Sequence, residues 1–114
     1  MIIQKLKYET RDALHLAEYY FGVMSILNNL ELANREVQLM AFTAVRGNVG
    51  SATSKKEFVE VYSSSLATVG NMISKLTKSG LLEKNKKMVT VHKALVLDFE
   101  SDLKLEIILE HVSK

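Results

Sequence analysis

The stretch Thr68 to Leu82, T-V-G-N-M-I-S-K-L-T-K-S-G-L-L, leaves this chain few ways to fold. Val69, Ile73 and Leu76 stand four and three residues apart, so they share one face of a helix. A lysine-bearing last turn then meets Gly80, where a residue of positive φ would close the helix. Leu81 and Leu82 open a new apolar run, so a helix must hand over to a strand at this glycine. The opposite helix face carries Thr68, Asn71, Met72, Lys75 and Lys78.

Upstream of that stretch the pattern is mostly helical. Ile2 to Tyr8 alternates with period two and predicts a short strand. From about Thr10 to Leu30, Ala13, Ala17, Tyr20, Met24 and Leu27 form a helical stripe, which Leu14, Phe21, Val23 and Ile26 widen. A helix this apolar needs cover on more than one side, from its own chain or from a second copy. A further helix is expected from about Asn34 to Arg46, with Val37, Met40, Ala41 and Ala44 facing the core and Gly47 as its cap. Ser54 stands three residues before Glu57 and predicts a capping box for the next helix, with Phe58, Val61 and Tyr62 at helical spacing. Ser63-Ser64-Ser65 reads as a tight break, with Ser65 at the N-cap position of the helix that follows.

Downstream, Leu82 to Lys84 and Met88 to Val91 read as two strands around Asn85-Lys86-Lys87, a hairpin with a basic tip. In Leu103 to Val112, Leu105, Ile108, Leu109 and Val112 would make a helical face, but the cleaner alternation of apolar and charged residues favours a last strand. Its Glu106 and Glu110 could match Lys5 and Lys7 of the first strand, within one chain or between two. The expected class is mainly α with a small antiparallel sheet. The 114 residues allow one domain with a modest core. Its parts are an N-terminal strand and helix (1–31), a central unit (34–92) and a C-terminal extension (93–114).

Charge is divided unevenly. Between Arg46 and Lys93 there are nine basic and three acidic residues, a net of +6, while the remainder carries six and ten, a net of −4. That segregation is the electrostatic footprint of a polyanion-binding face. Catalytic and metal chemistry find little to work with. Cysteine is absent, so there is no thiol nucleophile and no thiolate metal site. His15, His92 and His111 fall on three different elements, and none stands four residues from another. The loop G-N-V-G-S-A-T-S from Gly47 lacks the G-x-x-x-x-G-K-S/T spacing of a phosphate-binding loop. No catalytic residue, metal site or cofactor is therefore expected. No apolar run approaches the ~20 residues of a membrane span. Without a signal-peptide core the expected location is cytoplasmic.

The order helix, helix, tight turn, helix, basic hairpin from Asn34 to Val91 resembles a winged helix-turn-helix domain, of the kind found in MarR-type and small phage regulators. The resemblance rests on Phe58, Val59 and Tyr62, then Ser65, Thr68 and Val69, then Ile73, Leu76, Gly80 and Leu81, which fit the family's second and third helices without a gap over 24 residues. L-E-L-A-N-R-E-V-Q-L-M is similar to the entry of its first helix. The sequence departs from the family at Ser63, where glycine is favoured, at Ser64, and at Leu66 and Ala67, where polar or basic residues are usual.

The resemblance implies double-stranded DNA as partner and a recognition helix from Ser65 to Lys78, lying in the major groove. Ser65 and Thr68 would bond phosphates, Asn71 would read adenine through its amide, and Lys75 and Lys78 would meet the backbone. Lys86 and Lys87 would be the wing's contacts, and Lys55 and Lys56 would hold the backbone beside the preceding helix. The long apolar helix would make a homodimer. A second reading is a protein-binding module anchored by Leu66 and Met72, an exposed apolar patch.

Overall fold

The first helix, α1 (Ala13–Leu27), starts where the Asp12 carboxylate accepts the His15 N–H at 2.8 Å. It ends where the Asn28 side-chain amide donates back to the Met24 carbonyl at 2.9 Å. Both caps lie inside the Thr10–Leu30 span that periodicity suggests, because a side chain that satisfies an orphan backbone group sets the boundary more sharply than apolar spacing does. The computed structural model describes residues 1–7, 9–95 and 98–111.

α2 (Asn34–Arg46) has the bounds expected from sequence. Glu36 reaches back to accept the Ala33 N–H at 2.8 Å, and Gly47 closes the helix at φ 87°. Ala33 has no side-chain acceptor, so only half of a capping box exists here. α3 (Ala52–Tyr62) begins earlier than the Ser54 start suggested by S-K-K-E. Its cap is Ser51, whose hydroxyl accepts the Ser54 N–H at 3.1 Å and donates to the Ser54 hydroxyl at 2.9 Å. Glu57 is not a capping residue; it pairs with Arg46 at 2.6 Å. α4 (Leu66–Lys78) is capped by Ser65, which accepts the Thr68 N–H at 3.2 Å. Gly80 follows at φ 82°.

The chain then forms β1 (Leu82–Asn85) and β2 (Met88–Val91), an antiparallel two-stranded sheet with Leu82 opposite Val91 and Asn85 opposite Met88. One turn of 3-10 helix covers Lys93–Leu95. The fold is thus mainly helical with a small antiparallel sheet, and among the described residues no helix is long and apolar enough to cross a membrane.

The core gathers where α2, α3, α4 and the sheet meet. Phe42 and Phe58 stack edge-on, with centroids 5.5 Å apart, and Leu39, Leu76, Leu82, Val49 and Val69 close around them. Burying one such phenylalanine contributes about 1.5–3 kcal/mol. α1 packs across α2 and buries Ala17, Tyr20 and Phe21, and Phe99 returns to lie 5.6 Å from the Tyr20 ring. Tyr62 donates to Glu18 at 2.8 Å and so ties α3 to α1. Burial, then the Glu18 carboxylate, push the Tyr62 phenol well above its ordinary range. Ile26, on the far side of α1, is 80% exposed, so one copy of the chain covers only part of this helix.

Two expectations fail at the ends. Residues 2–7 and 103–111 are not strands. Alternation gives a segment two faces, but a strand exists only when a neighbour takes its N–H and C=O groups. No backbone hydrogen bond to residues 2–7 or 103–111 is present among the described residues. Tyr8 and Val112, the inner and outer ends of those expected strands, lie outside the described residues.

Glu36 does more than hold Ala33. Its carboxylate also receives the Lys75 ammonium, at 3.1 Å to one oxygen and 2.9 Å to the other, and so joins the start of α2 to the last turn of α4. Burial pushes the Glu36 carboxyl up, but Lys75 and the Ala33 N–H outweigh it and hold it below its ordinary 4.5. A carboxyl lowered in the folded state stabilises the fold above its unfolded pKa, and that contribution disappears as the pH falls through the folded value. Glu36→Ala is therefore expected to cost about 2 kcal/mol near neutral pH, from a lost cap and a lost charge-assisted bond. Urea melts from pH 7 to pH 3 check it: the gap between wild type and variant should close on the acid side of about pH 4.5.

Candidate nucleic-acid interface

Whatever α4 presents to solvent is decided by how it sits on the core. Val69, Met72, Ile73 and Leu76 are its buried residues. Met72 is only 8% exposed, which corrects its expected place on the outer face. Val69 and Met72 stand three positions apart and so lie within about 60° of each other around the helix, and the apolar stripe takes in both. Leu66, in contrast, is 56% exposed. The apolar surface patch expected from Leu66 and Met72 together does not form. What remains outward on α4 besides Leu66 is Ala67, Thr68, Gly70, Asn71, Ser74, Lys75 and Lys78. Ser74 adds a hydroxyl on this exposed side that the sequence reading passed over.

At the head of α4, the Ser65 hydroxyl is occupied by the cap and also lies 2.9 Å from the Thr68 hydroxyl oxygen, to which it donates. Ser65 thus positions the first turn. Lys75 remains mostly exposed while it holds Glu36, so it is a shared rather than a spare cation. Lys78 stands one turn further on. Before α4, the tight turn is made by Ser63 at φ 51° and ψ 49°, the left-handed conformation that glycine adopts most readily. The Ser64 N–H then reaches the Val59 carbonyl at 3.1 Å. Lys55 and Lys56 belong to the opening turns of α3, the first half-buried and the second exposed.

The hairpin tip is anchored by the loop that follows α2. Asn48 Oδ1 accepts the Val89 N–H at 2.8 Å and the Gly50 N–H at 2.7 Å, and the Val49 N–H donates to the Val89 carbonyl at 3.0 Å. Loop residues thereby satisfy the free edge of β2. Gly50 is pressed against the tip itself. A Cβ there would overlap the Lys87 carbonyl oxygen and come within 3.0 Å of the Val89 nitrogen. The N-x-G pattern around Val49 is the signal that would have found this anchor, since asparagine readily mimics a backbone acceptor in turns. Lys86, at φ 58°, and Lys87 project from the exposed tip.

The structure therefore places Thr68, Asn71, Lys75 and Lys78 on one helix and carries Lys86 and Lys87 on a braced hairpin that follows it directly. Among the described residues, no three His, Asp or Glu side chains come close enough to hold a metal ion. Comparison with protein families, curated proteins and solved structures finds no match for this chain.

Two substitutions separate the strain at these turns. Ser63→Gly relieves a left-handed serine at some cost in chain entropy, for a net gain of about 0.5 kcal/mol. Gly50→Ala must displace the hairpin backbone and should lose about 2 kcal/mol or more. Thermal unfolding followed by circular dichroism is expected to move the midpoint up for the first and down for the second.

Proposed function

We propose that this chain binds double-stranded DNA as a homodimer, in a winged helix-turn-helix arrangement, as a cytoplasmic regulator of transcription or replication. In this reading α4 is the recognition helix and the β1–β2 hairpin is the wing. The observation that carries it is the combination of a braced basic hairpin tip with the polar, lysine-bearing outer face of the helix that leads into that hairpin. A braced loop keeps two lysines in place without ordering them on binding, which favours contact with a regular phosphate lattice. Asn71 is outward on the exposed face and suits adenine, whose N6 and N7 groups match an amide. Thr68 and Lys78 lie along the same helix as phosphate contacts, with Lys55 and Lys56 on the preceding helix as further ones. Lys75 joins them by sharing its ammonium between Glu36 and a phosphate. The exposed Leu66 favours a second reading, a protein-binding module, though without Met72 its apolar anchor is a single residue.

Fluorescence anisotropy with duplex DNA over a range of salt concentrations tests the proposal. Binding should weaken steeply as salt rises, and Lys78→Ala, Lys86→Ala or Lys87→Ala should each reduce the slope by about one unit for all sequences alike. Asn71→Ala should cost about 1–3 kcal/mol on a selected sequence and little on a random one. Absence of binding at low salt would overturn the reading.

A further inference from the structure

Both ends of the described chain are unpaired, and they complement each other. Ile2 is 97% and Leu109 91% exposed, and Ile3, Leu6, Ile107 and Ile108 are exposed with them. The accessible surface totals 8651 Å². A folded chain of 12.8 kDa ordinarily exposes about 6,300 Å². The excess is on the order of 2,300 Å², well above the ~800 Å² that each partner gives to a standard interface. The radius of gyration, 15.5 Å, likewise exceeds the ~13 Å expected at this length.

One antiparallel register makes the two arms fit. Setting Lys7 opposite Glu106 sets Glu9 opposite Lys104 and Arg11 opposite Asp102, three successive opposite-charge pairs on one face. Lys5 then falls diagonally between Glu106 and Glu110. The other face brings Leu6 against Ile107 and Gln4 against Leu109. All six paired charges are exposed in the structure. Slipping by two residues in one direction faces Lys7 with Lys104 and Glu9 with Asp102. Slipping by two in the other faces Glu9 with Glu106 and Arg11 with Lys104. A slip of one turns charges onto the apolar side. The first alignment thus matches three charge pairs, against two for a slip of four that sets Lys7 opposite Glu110 and Arg11 opposite Glu106. The exposed Lys104–Glu106 ion pair, 3.3 Å within one arm, would be exchanged in it, and such surface pairs contribute little.

We propose that two copies of the chain dimerise by exchanging these arms, the N-terminal arm of each copy pairing with the C-terminal arm of the other. A two-stranded ribbon closed within one chain would leave Leu6, Ile107 and Leu109 bare, and isolated ribbons are marginal in water. Exchange makes two ribbons, whose apolar faces find cover against each other and against the open side of α1, where Ile26 and Leu27 are exposed. The proposal rests on the homodimer in the proposed function and not on its DNA contacts.

Sedimentation of the full chain without DNA, at micromolar concentration, tests it with two variants. One carries Lys7→Glu and Glu9→Lys; the other carries Lys104→Glu and Glu106→Lys. Wild type should be a dimer. Each variant alone should dissociate about thirtyfold more readily or worse, with unchanged circular dichroism. Mixed together they should form a one-to-one heterodimer, because both of its ribbons are again matched. A monomeric wild type, variants that stay dimeric, or a mixture that stays monomeric would each overturn arm exchange. Intact DNA binding in the same samples would show that the failure belongs to the arms and not to the interface on α4.

Discussion

The carboxylate of Glu36 is the joint on which the arrangement of helices depends. It is 5% exposed, yet it holds the first backbone N–H of α2 and the Lys75 ammonium of α4 at once. A buried carboxylate in this position is acceptable only because both partners are present; removing either would leave charge stranded in an apolar setting. The apolar core sets the distance between α2 and α4, but apolar contacts are not directional. The two oxygens of Glu36 supply direction. They add a directed tie between α2 and α4 to the packing of Val69, Met72, Ile73 and Leu76.

A second constraint positions the hairpin. Two strands alone are too few for a stable sheet. Here the loop after α2 acts in place of a third strand, with the Asn48 side chain and the Val49 N–H meeting both polar groups of Val89. The glycine at 50 allows the loop to lie against the tip. Basic residues at the end of so short a hairpin would otherwise be free to swing. Bracing at Val89 and Lys87 ties them to the loop after α2.

Local chemistry was legible in the sequence wherever one residue decides one boundary. Gly47 and Gly80 end their helices in left-handed conformations, Ser65 caps α4, and the hairpin falls where the strand signals put it. The capping pattern at Ser54 and Glu57 pointed too far along the chain, because Ser51 caps α3 and Glu57 pairs with Arg46 instead. Met72 was misplaced because its face borders the apolar stripe, and only packing decides a border position. The terminal segments show a limit of a different kind: their alternation is real, but a strand needs a neighbour and no neighbour is written into one segment. Of the site, the identity of the outward residues on α4 was legible; the engagement of Lys75 by Glu36 was not, since 39 residues separate them.

The contact between Gly50 and Lys87 also has a mechanical meaning. α2 is continuous with the loop, the loop is bonded to β2, and β2 ends at the lysines. These parts form a lever with α1 resting on one end and the basic tip at the other. A partner or second copy that shifts α1 across α2 would act on the tip through the loop residues Asn48, Val49 and Gly50. The spacing between two such tips in an assembly would then be set by how the α1 helices lie, far from the lysines themselves.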